Sequence, residues 1–288
     1  MGAEAMPQLT LDLPAELWKA MDAHIHHEGD ELKDVVVSAL TEYFENSRDR
    51  LFQVSTSNAL VEGVADGAIS VGSLRKYGDL GLGTFEQLDG EMVVVDGRVF
   101  QVRSTGEVRE VADDVLTPFA TVTRFRPDAE VLLSRCSRLG DITQAFDKLR
   151  ATENTFFSLR VDGYFDYVRT RALCRMKPGT RLVHAAAVQP EFEYRGVFGT
   201  LVGFWSPEYT KTLSIPGYHL HFLSDDLSGG GHLLECRGAD LTVRLQRGSR
   251  FNLVFPETSS FLEADLRRDP SEDLEKAETY RGEGVKQS

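Results

Sequence analysis

The sequence predicts an α+β protein with mixed and antiparallel β-sheets in two subdomains, preceded by a small strand–helix–helix unit. Three observations support this fold class. Residues 8–46 alternate between apolar and polar positions and then change to helical spacing. Short β-rich runs separated by glycine-rich turns begin at Leu51, and strands become denser from Thr155.

The first unit opens with residues 8–14, whose alternation is typical of a short strand. Pro14 then begins a helix, and a second amphipathic helix runs from Leu32 to Tyr43 after a break at residues 26–30. This order, with its Leu-Pro-Ala-Glu-Leu opening, resembles the ribbon-helix-helix domains. The resemblance implies dimerisation through paired strands, so we expect a homodimer.

The larger unit combines short strands with a few helices. Its first part has β-rich runs at residues 51–55, 92–95 and 99–103, interrupted by helical stretches at residues 56–64 and 139–150. Its later part is denser in strands and has an antiparallel pattern, followed by a charged tail. The later strands are predicted at residues 155–161, 164–171, 199–205, 218–223, 232–236 and 239–245, and a tail helix at residues 272–278.

Composition restricts the classes of function. The chain has 288 residues, 41% of them hydrophobic, which is enough for one large domain or two ordinary ones. A net charge of −13 argues against general nucleic-acid binding. No run approaches the roughly 18 apolar residues of a membrane helix, and no secretory leader is visible. Three widely spaced cysteines argue against a disulfide framework, so we expect a cytoplasmic protein.

One segment concentrates residues that bind metals. His219 and His221 are two apart on a predicted strand, so their side chains project from the same face. Residues 225–231 are rich in Asp, Ser and Gly, which favour a turn that brings His232 on the next strand beside them. Three neutral imidazoles leave an open position on a zinc ion, the pattern of catalytic zinc. The segment therefore predicts a zinc centre.

The remaining histidines are weaker candidates. His24 and His27 could share a helix face, but the break that follows favours a solvated helix end. His184 is interpreted as structural. Three unrelated histidines on a hairpin are the alternative to the predicted centre.

These patterns predict two domains. The ribbon-helix-helix-like unit spans residues 1–48, and the larger domain spans residues 49–288. Within the larger domain, residues 51–153 form a first β-rich half. Residues 154–288 form a second half that carries the metal site and the C-terminal tail.

Several motifs in the larger domain together resemble the bacterial alpha-acetolactate decarboxylases. They are residues 78–91 (GDLGLGTFEQLDGE), 170–171 (TR), 199–207 (GTLVGFWSP) and 217–222 (GYHLHF). The resemblance runs from about Leu51 to Glu278. It implies the fold of that family, Zn²⁺ as the cofactor, and decarboxylation of 2-acetolactate to acetoin and carbon dioxide through a metal-chelated enediolate.

The resemblance also implies roles for individual residues. The zinc ligands of the family fall on His219, His221 and His232. The threonine of its Gly-Thr-Phe motif falls on Thr84, near the substrate.

Three charged residues complete the implied site. Arg171 would orient the substrate carboxylate, Glu91 would deliver the proton, and Glu278 would ligate zinc or shape the proton path. From the residues alone, each also has a surface interpretation. Glu91 follows an Asp-Gly turn, Arg171 shares a sheet face with Arg169, and Glu278 lies in the charged tail. Residues 172–174 (Ala-Leu-Cys) depart from the Thr-Val-Pro usual in the family.

Two other functions fit parts of the sequence. A hydrolase using zinc-bound water would need a general base, and Glu91 could serve. A ligand-sensing regulator would place the first unit on DNA. Residues 1–48 carry ten acidic against three basic residues, and the predicted strand has no basic side chain. We therefore expect a small-molecule substrate, acetolactate, and no nucleic-acid partner.

Overall fold

The computed structural model describes residues 10–29, 31–45 and 49–279. The chain divides into two units, Met1–Arg48 and Asp49–Ser288. Among the described residues, no helix has the length and apolar character needed to cross a membrane.

Two helices of the first unit follow the predicted pattern. They are α1 (Ala15–Glu28) and α2 (Leu32–Glu45). The carbonyl of Pro14 accepts a hydrogen bond from the N–H of Trp18, which confirms the predicted helix start. α1 continues into the predicted break and ends at Gly29, whose φ of 78° is the left-handed conformation of many helix ends.

The strand predicted at residues 8–14 is absent from the described part of this segment. Residues 8 and 9 lie outside the described residues, and residues 10–14 form no regular structure. That part of the prediction is wrong for the isolated chain, because a strand needs a hydrogen-bonding partner. The described side chains from residue 10 to residue 41 include no buried one, and Trp18 is 48% exposed. The apolar side of these helices is therefore open.

The larger unit is built mainly from strands. In chain order the strands are β1 (Arg50–Val54), β2 (Ile69–Ser70), β3 (Leu80–Thr84), β4 (Glu91–Val95), β5 (Arg98–Val102), β6 (Val108–Glu110), β7 (Leu116–Thr117), β8 (Ala120–Thr123), β9 (Ala129–Cys136), β10 (Phe156–Arg171), β11 (Glu191–Tyr194), β12 (Val197–Ser206), β13 (Gly217–Ser224), β14 (Gly230–Gly248) and β15 (Arg250–Val254). Its helices are α3 (Ser57–Val61), α4 (Val71–Leu74), α5 (Leu139–Leu149), α6 (Leu182–Ala186), α7 (Ser259–Glu263) and α8 (Ser271–Thr279).

Two large sheets carry the architecture. The first has the order β15-β1-β8-β3-β4-β5-β6, in which only the β1–β15 pair is parallel. The second has the order β11-β10-β12-β13-β14-β9, is antiparallel, and closes on itself through a further β10–β14 pairing. A small third sheet pairs β2 with β7. The α+β class with mixed and antiparallel sheets is confirmed.

The sheets do not follow the two predicted halves of the larger domain. β9 comes from the half predicted at residues 51–153 but pairs with β14 in the second sheet. β15 comes from the half predicted at residues 154–288 but pairs with β1 in the first sheet. Each half therefore supplies one edge strand to the sheet of the other half.

The two large sheets pack face to face. Val93 and Phe100 of the first sheet share an apolar cluster with Val202 and Leu223 of the second. This packing brings β4 against β13, the strand that carries two of the predicted zinc ligands. Burial of this kind stabilises by roughly 25 cal/mol per Å² of apolar surface removed from water.

A second apolar cluster joins three of the helices. Leu60 of α3, Leu182 of α6, and Leu274 and Ala277 of α8 are all buried in it. The apolar face of α8 thus packs against the rest of the larger unit. This packing fixes the position of the last turn of α8, which contains Glu278.

Candidate metal centre and active site

The three predicted histidines lie together on one hairpin. β13 and β14 pair antiparallel, with His221 directly opposite His232. The ring centroid of His219 lies 5.0 Å from that of each of the other two histidines. One ring nitrogen from each histidine lies within 4.8 Å of the others. The predicted hairpin is confirmed, and the three rings could hold one metal ion.

The glycines of this hairpin allow a close approach as well as a turn. Gly231 has a φ of 122°, and a Cβ there would lie 2.5 Å from the carbonyl oxygen of Arg171. Arg171 is the register partner of His232 across the β10–β14 pair. A side chain at position 231 would therefore push the arginine strand away from the histidines.

His221 is oriented by a hydrogen bond from the first sheet. Its Nδ1 lies 2.8 Å from the carbonyl oxygen of Met92, so this nitrogen carries the proton and donates it. Its Nε2 is buried and has no hydrogen-bond partner within the described chain. A ring held by a backbone carbonyl at one nitrogen, with a free lone pair at the other, is the usual arrangement of a metal-binding histidine.

The histidines are held in the neutral form that metals require. Burial, followed by the charge of Arg171, lowers the pKa of His219 to about 3. Burial is also the main cause that lowers the pKa of His221 and His232 well below the usual value. Three buried neutral imidazoles with an unpartnered nitrogen fit a zinc ion well.

Thr84 and Glu91 face each other across the β3–β4 hairpin. The Thr84 hydroxyl donates a 2.7 Å hydrogen bond to the carbonyl of Gly90, which fixes the turn before Glu91. The side chain of Glu91 points inward, and the residue is only 5% exposed. The surface interpretation of Glu91 is therefore wrong, because the two sheets pack over this end of β4.

The Glu91 carboxyl joins the arginine strand to the histidines. Its Oε1 accepts a 3.1 Å hydrogen bond from the N–H of Leu173, and its Oε2 lies 3.5 Å from Nε2 of His221. Because Leu173 uses its backbone, this contact does not depend on the side chains at residues 172–174. Burial raises the pKa of Glu91 to about 8, against the opposing effects of the Leu173 N–H and Arg171.

Arg171 is buried at the end of β10, and 4% of it is exposed. Its Nη2 donates hydrogen bonds of 2.5 and 3.2 Å to the carbonyl oxygens of Ala277 and Glu278. These carbonyls end α8, where the negative end of the helix dipole favours a cation. Its Nη1 is buried without a hydrogen-bond partner among the described residues. Arg169 instead pairs with Glu191 near the surface, so the surface interpretation fits Arg169 and is wrong for Arg171.

Glu278 reaches the histidines from α8. Its Oε2 lies 3.5 Å from Nε2 of His232, and its side chain is 22% exposed. Burial raises the pKa of Glu278 above its usual value, and Arg171 opposes this effect. The surface interpretation of Glu278 is therefore wrong as well.

A charged cluster holds α8 in this position. Arg181 lies 2.6 Å from the Asp273 carboxylate and 3.0 Å from that of Glu62. Arg268 lies 3.2 Å from the same Asp273 carboxylate. Asp273 is buried, so these pairs are less screened by solvent than surface ion pairs.

Among the predicted site residues, all except His221 line one pocket. Its apolar wall includes Leu60, Phe119, Leu182 and Ile215. The mixture of an apolar wall with a few polar groups suits a small organic substrate. Gln189 also lines the pocket and was not predicted.

The remaining histidines take no part in this site. His24, His26, His27 and His184 are exposed. Within the described chain, His219, His221 and His232 form the group of metal-binding side chains close enough to share an ion.

Comparison with known proteins identifies the family. The sequence profile described as Alpha-acetolactate decarboxylase matches residues 51–268. The chain belongs to the alpha-acetolactate decarboxylase family. The alpha-acetolactate decarboxylase of Methanosarcina mazei is 41% identical to it over 234 residues, which is 81% of this chain and 81% of the relative. That of Methylococcus capsulatus is 42% identical over 229 residues, covering 79% of this chain and 88% of the relative.

A solved structure supports the same assignment. The crystal structure of alpha-acetolactate decarboxylase from Bacillus subtilis strain 168 is 34% identical, has a TM-score of 0.77, and covers 80% of this chain and 99% of that one. The predicted family, fold and enzyme class are confirmed: the chain is an acetolactate decarboxylase by class. The family match does not include the first unit, so the ribbon-helix-helix resemblance stays a prediction. It also ends before Glu278.

Proposed function

We propose that this acetolactate decarboxylase converts 2-acetolactate to acetoin and carbon dioxide at a zinc ion held by His219, His221 and His232. The observation that supports the proposal most directly is the hydrogen bonding of the two ring nitrogens of His221. Its Nδ1 is fixed on the Met92 carbonyl, while its buried Nε2 has no hydrogen-bond partner in the described chain. A lone pair that is buried and oriented in this way needs a ligand, and two neutral imidazoles lie beside it.

Decarboxylation leaves an electron pair that must be delocalised. The bond from the carboxylate carbon to C2 breaks, carbon dioxide departs, and the pair moves from C2 toward the neighbouring ketone oxygen. Zinc would act as a Lewis acid that stabilises this negative charge, which is worth several kcal/mol.

Arg171 is proposed to hold the carboxylate that leaves. Its Nη2 is already committed to the end of α8, so Nη1 is the nitrogen that faces the substrate. A charge-assisted hydrogen bond to the carboxylate aligns the breaking bond. The contact weakens as neutral carbon dioxide forms, so it serves orientation more than transition-state stabilisation.

Glu91 is proposed to supply the proton that C2 receives. Its raised pKa favours the protonated form near neutral pH, and its Oε2 lies beside His221. After transfer, the carboxylate is stabilised by the N–H of Leu173 until it regains a proton from solvent. Thr84 fixes the turn before Glu91 and lines the substrate pocket.

Glu278 is proposed to act at the opposite side of the histidines. Its carboxyl oxygen lies near His232, within reach of a further zinc ligand or of a path for protons from solvent. Family membership favours decarboxylation over the hydrolase and the DNA-binding regulator, for which the described residues provide no specific observation.

Metal analysis together with a product assay tests the proposal. Purified protein should contain about one zinc per chain by elemental analysis and should release acetoin from 2-acetolactate. A chelator should abolish acetoin release, and added Zn²⁺ should restore it. Full activity in protein free of metal would contradict the proposed zinc centre while leaving the family assignment intact.

The homodimer is proposed to depend on the first unit. The described helices α1 and α2 expose Leu17, Trp18 and Val37, which a second copy could cover. The cytoplasmic location and the lack of a nucleic-acid partner remain predictions.

Removal of residues 1–48 should weaken self-association but preserve zinc content and acetoin release. No proposed site residue lies in this segment, whereas its apolar side chains are exposed. Sedimentation over a range of concentrations measures association, and Trp18→Glu in the full chain should weaken it similarly. A truncated chain that keeps zinc but no longer decarboxylates acetolactate would show that part of the site has been misplaced.

A further inference from the structure

Two buried donors in the pocket have no acceptor in the part of the chain that the structure describes. Nη1 of Arg171 and Nε2 of Gln189 are both buried without a hydrogen-bond partner among residues 10–29, 31–45 and 49–279. Both residues line the pocket that contains the histidines. A buried donor without an acceptor destabilises the folded protein, and a charged donor does so more strongly. Two of them in one pocket indicate a binding site for an acceptor-rich group.

The backbone places these two donors next to each other. β10 ends at Arg171 and β11 begins at Glu191, and these two residues are register partners. The N–H of Ala172 donates a 3.2 Å hydrogen bond to the carbonyl of Pro190. Gln189 therefore lies next to the end of β10, where Arg171 is located.

The two carboxyl groups of the pocket form no hydrogen bond with either donor. Glu91 accepts the N–H of Leu173 and lies against His221, and Glu278 lies against His232. The two donors are therefore available to a ligand.

We propose that Gln189 is a substrate-binding residue that donates a hydrogen bond to the carboxylate of acetolactate beside Arg171. The inference rests on the proposed function: a metal ion at the histidines that is chelated by the hydroxyl and ketone oxygens of the substrate would turn these two groups toward the histidines. The carboxylate is then the group left for Arg171 and Gln189, and its two oxygens can accept from both. A neutral amide adds a donor without adding charge, so it does not oppose the departure of neutral carbon dioxide.

This position has a kinetic consequence. The carboxylate loses its charge as the bond breaks, so the Gln189 contact is strongest in the ground state. Loss of a contact of this kind raises KM and does not lower kcat. Acetoin lacks the carboxylate, so its binding should not depend on Gln189.

The test compares Gln189→Leu with the wild-type enzyme in two measurements. KM for acetolactate should rise roughly 10- to 100-fold, as for loss of a hydrogen bond to a charged group. The constant for competitive inhibition by acetoin and the zinc content should stay the same. Gln144 is exposed on α5, away from the pocket, and Gln144→Leu is the matched control that should leave both constants unchanged.

Two further variants make the outcome decisive. Gln189→Glu keeps the length of the side chain and brings a like charge to the carboxylate, so its KM should rise more than that of Gln189→Leu. It also replaces Gln189→Leu if that protein does not fold. Arg171→Lys keeps the charge but loses the planar fork, and it should likewise weaken acetolactate binding and leave acetoin binding unchanged.

An unchanged KM, or equal weakening of acetolactate and acetoin binding, would overturn the proposal. Failure of the zinc centre would appear separately, as active protein without metal. The difference between acetolactate and acetoin would still report on Gln189 in such a protein.

Discussion

Glu91→Gln should lower the turnover of acetolactate by roughly 10²- to 10⁴-fold, with little change in substrate binding. The amide keeps the shape of the side chain, and its oxygen can still accept the hydrogen bond from Leu173. It lacks the carboxylic proton that C2 must receive. Rapid measurement of acetoin release gives kcat and KM for both proteins.

The pH profile gives an independent measure of the same group. Burial raises the pKa of Glu91 to about 8, so the carboxyl is protonated at neutral pH and loses its proton as the pH rises. A cation bound at the histidines would oppose this shift and move the transition to lower pH. Wild-type turnover should therefore fall on the alkaline side, and Glu91→Gln should lack that fall.

The matched control for this variant is a glutamate on the surface. Glu107 is exposed and outside the pocket, and Glu107→Gln should behave like the wild-type enzyme. Zinc content should be the same in all three proteins. Near-wild-type turnover by Glu91→Gln would show that Glu91 is not the proton donor, and Glu278 or a bound water would take that role.

The histidine hairpin was predictable because its signal is local. Alternation on one strand placed His219 and His221 on one face, and the turn at residues 225–231 returned the chain in register with His232. The longer amphipathic helices were predictable for the same reason: the predictions at Leu32 to Tyr43 and at residues 139–150 match α2 and α5.

The burial of Glu91 was not predictable from the residues around it. A glutamate after Asp-Gly is typical of a surface turn, and only the packing of one sheet on the other buries this one. The family resemblance, rather than a local pattern, pointed to it. The tail residue Glu278 is similar, since the charged cluster that holds α8 joins distant parts of the chain.

Other features had no sequence signal at all. Edge strands β9 and β15 were not predicted, because each pairs with a strand from the other predicted half. Because each half contributes an edge strand to the sheet of the other half, the predicted boundary at residue 153 does not separate the two sheets. Gln189 has no motif around it, and its significance comes from a nitrogen beside Arg171 that has no hydrogen-bond partner among the described residues.

His221→Ala should remove most of the zinc and lower acetoin release by roughly 10³-fold or more. The variant deletes one of the three proposed ligands, and this one is oriented by the first sheet through the Met92 carbonyl. Lewis-acid stabilisation worth several kcal/mol is lost with the metal, and each 1.4 kcal/mol is a factor of ten in rate. Elemental analysis and the acetoin assay on the same preparation test both effects.

The design of this test separates metal loss from loss of the fold. His221 is fully buried, so its removal also leaves a cavity and an unpaired Met92 carbonyl. His232→Ala removes a second ligand at a less buried position, and His184→Ala removes an exposed histidine outside the pocket. Zinc and activity should fall together in the two ligand variants and persist in His184→Ala. Full zinc occupancy in folded His221→Ala protein would mean that the metal is held elsewhere. An ion at this hairpin cannot keep its affinity after losing the imidazole that the Met92 carbonyl orients.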